Sequence, residues 1–99
     1  MYLKTHPSPD GEIVALCDSE LIGRVLSNKK MRLDLSAYAP FYLGRKVDEK
    51  EAVAALSAAQ NANIVGKLAL AAAKKAGLPV SHAMTIESVP HLQVYRMPP

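Results

Sequence analysis

Residues 48–77 read DEKEAVAALSAAQNANIVGKLALAAAKKAG, and the fold turns on how this alanine-rich stretch is divided. Asp48 with Glu51 matches an Asp version of the capping box, ahead of the run AVAALSAAQ. Val53, Leu56 and Ala59 then form an apolar stripe at helical spacing. The second run, ANIVGKLALAAAKKAG, sets Ile64, Val65, Leu68, Ala71 and Ala72 on one helical face. Lys74 and Lys75 complement the negative end of its dipole, Gly77 suits a left-handed C-terminal stop, and Pro79 blocks continuation. Asn61 at the junction would cap the second run, so the stretch is expected to give two helices rather than one. Gly66 and the alanines let the second helix approach its neighbour closely.

Working outward, the flanks read as strands. MYLKTH alternates over Tyr2 to His6, PSPDG offers turn chemistry at Asp10-Gly11, and EIVALC gives a second strand, Glu12 to Cys17. Asp18 is placed to cap one short helical turn that Gly23 ends. Arg24 to Ser27 and Met31 to Leu35 form another hairpin, turning at Asn28-Lys29-Lys30. AYAPFYLGRK reads as an ordered loop pinned to the core by Phe41. HAMTIESV and HLQVYRM are two further strands, separated by Pro90. Pro is tolerated at the first residue of a strand, and it holds the preceding Val89 in extended geometry. The expected fold is α+β: one domain over 1–99, with a mostly antiparallel sheet and two helices packed on one face.

Composition narrows the function classes. The chain is 49% apolar and 21% charged, enough for a core without staples. Its single cysteine, Cys17, has no partner for an internal disulfide or for a paired-thiol zinc site, which fits a reducing cytoplasm. The start, MYLKTHPSPDGE, has no apolar signal core, and the longest apolar run, IVGKLALAAA, is broken by Lys67 and too short to span a membrane. A net charge of +3 and a pI near 9.1 permit an anionic partner without requiring one.

The segments MYLKTH, VALCDSELIG, FYLG, NANIVG and VPHLQV occur in that order, and together they resemble the archaeal domain of unknown function family 424 from Met1 to about Met97. The resemblance implies a cytosolic archaeal protein. It implies no activity and carries over no site residues. Where that family favours Gly ahead of Val-Pro-His, this chain has Ser88, which speaks against a left-handed turn there.

Strand parity supplies the candidate site. Leu92 and Val94 should face the core, which turns His91, Gln93 and Tyr95 to the other side; Leu3 inward turns Tyr2, Lys4 and His6 outward. If the first and last strands share a sheet, its open face carries Tyr2, Lys4, His6, His91, Gln93 and Tyr95. Aromatic rings interleaved with donors and cations suit single-stranded RNA or a translation-related ribonucleoprotein. Lys29, Lys30 and Arg32 make a second, basic patch on the hairpin.

No catalytic residues, metal ligands or cofactors are assigned. The histidines His6, His82 and His91 lack metal-ligand spacing, and there is no glycine-rich phosphate motif. Asn61 and Asn63 could meet an anion at a helix start, with capping as their commoner role. Two alternatives stay open. One is a small enzyme using His91 with Cys17, Asp18 or His6. The other is an adaptor, or a homo-oligomer, joined through the Ala-rich helices. Cys17 shares a face with Ile13 and Ala15, which points to a buried, inert thiol.

Overall fold

The computed structural model of the chain describes residues 1–9 and 11–95. β1 (Tyr2–His6) and β2 (Ile13–Cys17) form the first hairpin, with Leu3 opposite Leu16 and His6 opposite Ile13. Gly11 closes the bend from φ 107°, donating its N–H to Ser8 O at 3.1 Å; Asp10 lies outside the described residues. A 3-10 turn at Ser19–Leu21 leads into the second hairpin, β3 (Val25–Ser27) and β4 (Arg32–Asp34). Its turn is held by Asn28 Oδ1, which accepts from the N–H groups of Lys30 and Met31, each at 2.8 Å.

The segment expected as a loop contains a single helical turn, α1 (Ala39–Tyr42), and a two-residue strand, β5 (Arg45–Lys46). α2 (Glu49–Ala58) starts as the capping pattern requires: Asp48 Oδ1 accepts from the Glu51 N–H at 2.8 Å. Then the structure departs from the two-helix reading. Asn61–Val65 is a strand, β6, and only Lys67–Lys75 is helical, as α3. Ile64 and Val65 match a helical stripe by coincidence of spacing. They belong to a central strand covered on both faces, where apolar residues run together instead of alternating. The inward face of α3 is accordingly Ala69, Ala72 and Ala73, while Leu68 and Ala71 face out. β7 (Met84–Ile86) and β8 (Val89–Tyr95) complete the chain.

The main sheet has the order β5-β1-β2-β6-β8-β7, and every pairing in it is antiparallel except β2 with β6. α2 and α3 pack on one face, over Leu3, Val14, Leu16, Ile64, Leu92 and Val94, which gives the α+β arrangement. Ala69, Ala72 and Ala73 of α3 are thus buried inside the molecule. The opposite face is not open at its centre. Leu26, Leu33 and Leu35 of the β3–β4 hairpin, with Leu21 and Tyr42, close over Ala15, Cys17 and Val65. Hydrophobic Ala15 and Cys17 on that face need such a cover, because exposed they would leave apolar surface in water.

Two turns correct the local reading. Asp18 makes no side-chain cap on the 3-10 turn; its carboxylate reaches across to α3 instead. β7 and β8 join through Glu87-Ser88 alone, at φ 50° and 65°, a two-residue hairpin with both central residues left-handed. The left-handed turn therefore forms without glycine. Pro90 lies within β8 rather than ahead of it. Its carbonyl accepts from the Gly66 N–H at 2.9 Å, while its missing N–H asks for no partner.

Candidate functional site

β6 and β8 are neighbours, with Asn63 opposite Gln93 and Val65 opposite His91. Alternation turns Ile64 and Leu92 toward the helices, so Asn63, His91 and Gln93 point to the hairpin side. There Leu33 of β4 and the aromatic residues Tyr38, Phe41 and Tyr42 stand over them. The space between the two layers is a cleft of about 220 Å³. Tyr38 is 60% exposed at its rim, and Tyr95, at 69%, lies further along the same sheet face.

The polar groups in the cleft are ordered by one another. Asn63 Oδ1 accepts from the Tyr42 hydroxyl at 3.2 Å and from His91 Nε2 at 3.1 Å. Donation to a carbonyl oxygen fixes the Nε2–H tautomer when the ring is neutral, leaving the lone pair on Nδ1. Burial pushes the His91 pKa below its ordinary value, which favours that neutral ring. Burial also raises the Tyr42 phenol, with smaller contributions from Cys17 and Tyr95, so Tyr42 acts as a hydroxyl donor.

The six face residues named from strand parity separate into two groups. β1 and β8 share the sheet, but β2 and β6 lie between them, about 14 Å at the usual strand spacing. On the β8 side, His91 and Gln93 line the cleft and Tyr95 is exposed. On the β1 side, Lys4 Nζ donates to Pro40 O at 2.7 Å, and His6 Nε2 bonds to Phe41 O at 2.7 Å. The His6 ring also stacks on Phe41, with centroids 4.3 Å apart. Lys4 and His6 thus tie α1 to the sheet. Tyr2 lies one strand in from the far edge, with Lys46 Nζ, on the edge strand β5, 5.8 Å from its ring centre. Lys29 and Lys30 are exposed at the hairpin tip, while Arg32 meets Asp34 at 3.6 Å.

The three groups that the catalytic alternative sets beside His91 are each held elsewhere. Cys17 is buried; desolvation, and next the charge of Asp18, push its thiol up to about 12, so it is no thiolate at neutral pH. Asp18 is engaged with α3, and His6 with α1. Among the described residues no group of three or more His, Cys, Asp or Glu side chains is placed to hold a metal ion. No helix of the described residues is long and apolar enough to cross a membrane.

Asn63, Tyr38, Phe41 and Tyr42 are not among the site residues expected from strand parity. A helical reading of the second run puts Asn63 at a helix start, and the aromatic residues fall in a segment expected as a loop. The usable signal is the spacing of Asn61 and Asn63, which puts two amides on one face once the segment is a strand.

The model of a family described as protein of unknown function (DUF424) matches residues 6–97 of the chain. No curated protein matches it. Among solved structures, the chain is similar to an uncharacterized conserved protein from Methanopyrus kandleri. The two are 30% identical, with a TM-score of 0.76 over 99% of this chain and 92% of that one.

Proposed function

The chain belongs to the family of proteins of unknown function DUF424, and we propose that it is a non-catalytic module for single-stranded RNA. It would act in an archaeal cytoplasm, on RNA alone or within a ribonucleoprotein of the translation machinery. The observation that carries this reading is the cleft between β8 and α1, where Asn63, His91 and Gln93 share a lining with Tyr38, Phe41 and Tyr42; Tyr38 is exposed there, and Tyr95 is exposed further along β8. Exposed aromatic rings beside amides and a neutral imidazole offer stacking together with hydrogen bonding to base edges. Lys29, Lys30 and Arg32 on the neighbouring hairpin supply positive charge for the phosphates. Lys4 and His6 enter as the residues that hold the cleft wall, and Tyr2 as the far end of the same sheet face.

The test is fluorescence anisotropy with short single-stranded RNA over a range of salt, on protein freed of nucleic acid. Affinity should fall linearly in log salt. Tyr38→Ala and Tyr95→Ala should each weaken binding by ~1–3 kcal/mol, the usual contribution of one base–aromatic stack. The pair Lys29→Ala/Lys30→Ala should reduce the salt slope by about 1–2. An absence of binding at low salt would overturn the reading.

A further inference from the structure

We infer that the cleft holds one unstacked base, and that the side-chain amide of Asn63 donates to an acceptor atom on that base's edge. The inference rests on the RNA-binding reading and adds the mode of recognition. Its warrant is the engagement of the Asn63 oxygen. In the cleft, Oδ1 receives both the Tyr42 hydroxyl and His91 Nε2–H. With Oδ1 so engaged, the NH2 end is the donor left for the cleft that Asn63 lines. Tyr42 and His91 are themselves held, one by burial in the core beside Cys17 and the other by β8. A side chain already held by two hydrogen bonds costs little to order when a ligand arrives.

Shape and surroundings agree. A cleft of about 220 Å³ has room for a single planar base. Its walls are aromatic: Phe41 already carries His6 on one face, and Tyr38 stands at the entrance with most of its ring in water. Gln93, opposite Asn63 and exposed, can present either its oxygen or its nitrogen, so it adapts to the neighbouring atom of the edge. Every RNA base has an acceptor on its pairing edge, so the site recognises that a base is present and unstacked more than which base it is.

The experiment is proton–nitrogen NMR of the full chain titrated with uridine 5′-monophosphate and adenosine 5′-monophosphate, with ribose 5-phosphate as the baseless control. The nucleotides should bind in the millimolar range and shift the Asn63 and Gln93 side-chain amides and the His91 ring, and they should compete with RNA. Ribose 5-phosphate should leave those signals in place. Asn63→Asp keeps an acceptor for Tyr42 and His91 but removes the donor. It should fold, and should lower nucleotide affinity by about 5-fold or more, as loss of a base-edge hydrogen bond does. Nucleotides that shift only the Lys29–Lys30 hairpin, or that bind Asn63→Asp unchanged, would overturn the inference while RNA binding stood. RNA that binds neither protein would overturn both readings.

Discussion

Asp18 Oδ1 accepts from the backbone N–H of Ala69 at 2.8 Å, and Oδ2 from that of Leu68 at 3.1 Å, so an acid at the end of β2 caps a helix that begins after β6. The parallel pairing of β2 with β6 brings the two strand ends level, Cys17 beside Val65. Gly66 between β6 and α3 makes the approach possible: it sits at φ 114°, and a Cβ there would run into the Asp18 carboxylate. A negative charge on the first N–H groups of α3 also meets the positive end of the helix dipole.

Asp18→Ala should therefore cost about 2–3 kcal/mol, from the lost cap and the stranded N–H groups. Gly66→Ala should cost at least as much. The pair should be less than additive, since Asp18→Ala removes the group that Gly66→Ala strikes. Urea unfolding with unchanged m-values would measure both, and strict additivity would count against this contact.

Ser88→Gly should stabilise the protein. Glu87 and Ser88 hold φ 50° and 65°, a conformation that disfavours L side chains and suits glycine. The expected gain is about 0.5–1 kcal/mol, seen as a rise of a few degrees in the thermal midpoint. Glu87→Gly should gain less, because Glu87 Oε2 accepts from the Ser27 N–H at 2.8 Å and ties the β3–β4 hairpin to this turn. Equal gains at both positions would argue against that tie.

Stability should depend on pH through His91. Burial lowers its folded-state pKa, so the unfolded chain binds the proton more readily. The contribution of the neutral ring is present above the unfolded value, about 6.5, and is lost as pH falls through the folded value. Urea midpoints of the native protein should fall below pH 6.5 more steeply than those of His91→Gln. The difference between the two curves isolates His91 from His6 and His82. A ring that titrates by NMR at or above 6.5 would contradict burial as the controlling influence on this histidine.

Most elements were legible in the sequence because their signals are local. The Asp48 cap, the Asn28 turn and the alternation of Tyr2 to His6 each operate within a few residues, and all three stand in the structure. The candidate site was legible only in part. Parity placed His91 and Gln93 on the correct side of β8, but gave no sign that α1 would stand over them or that Asn63 would lie between His91 and Tyr42.

The amino-acid sequence by itself determined the α+β class, the two hairpins, the start of α2 and the burial of Cys17, since capping, turn chemistry and hydrophobic alternation are written in neighbouring residues. Only the tertiary structure decided that Asn61–Val65 is a strand, that Asp18 serves α3, and that Lys4 and His6 hold the wall of the cleft. The physical reason is the same in all three cases. Ile64 and Val65 are apolar under either period, and a carboxylate, an ammonium or an imidazole takes its role from the partner that long-range pairing of strands brings within hydrogen-bond reach.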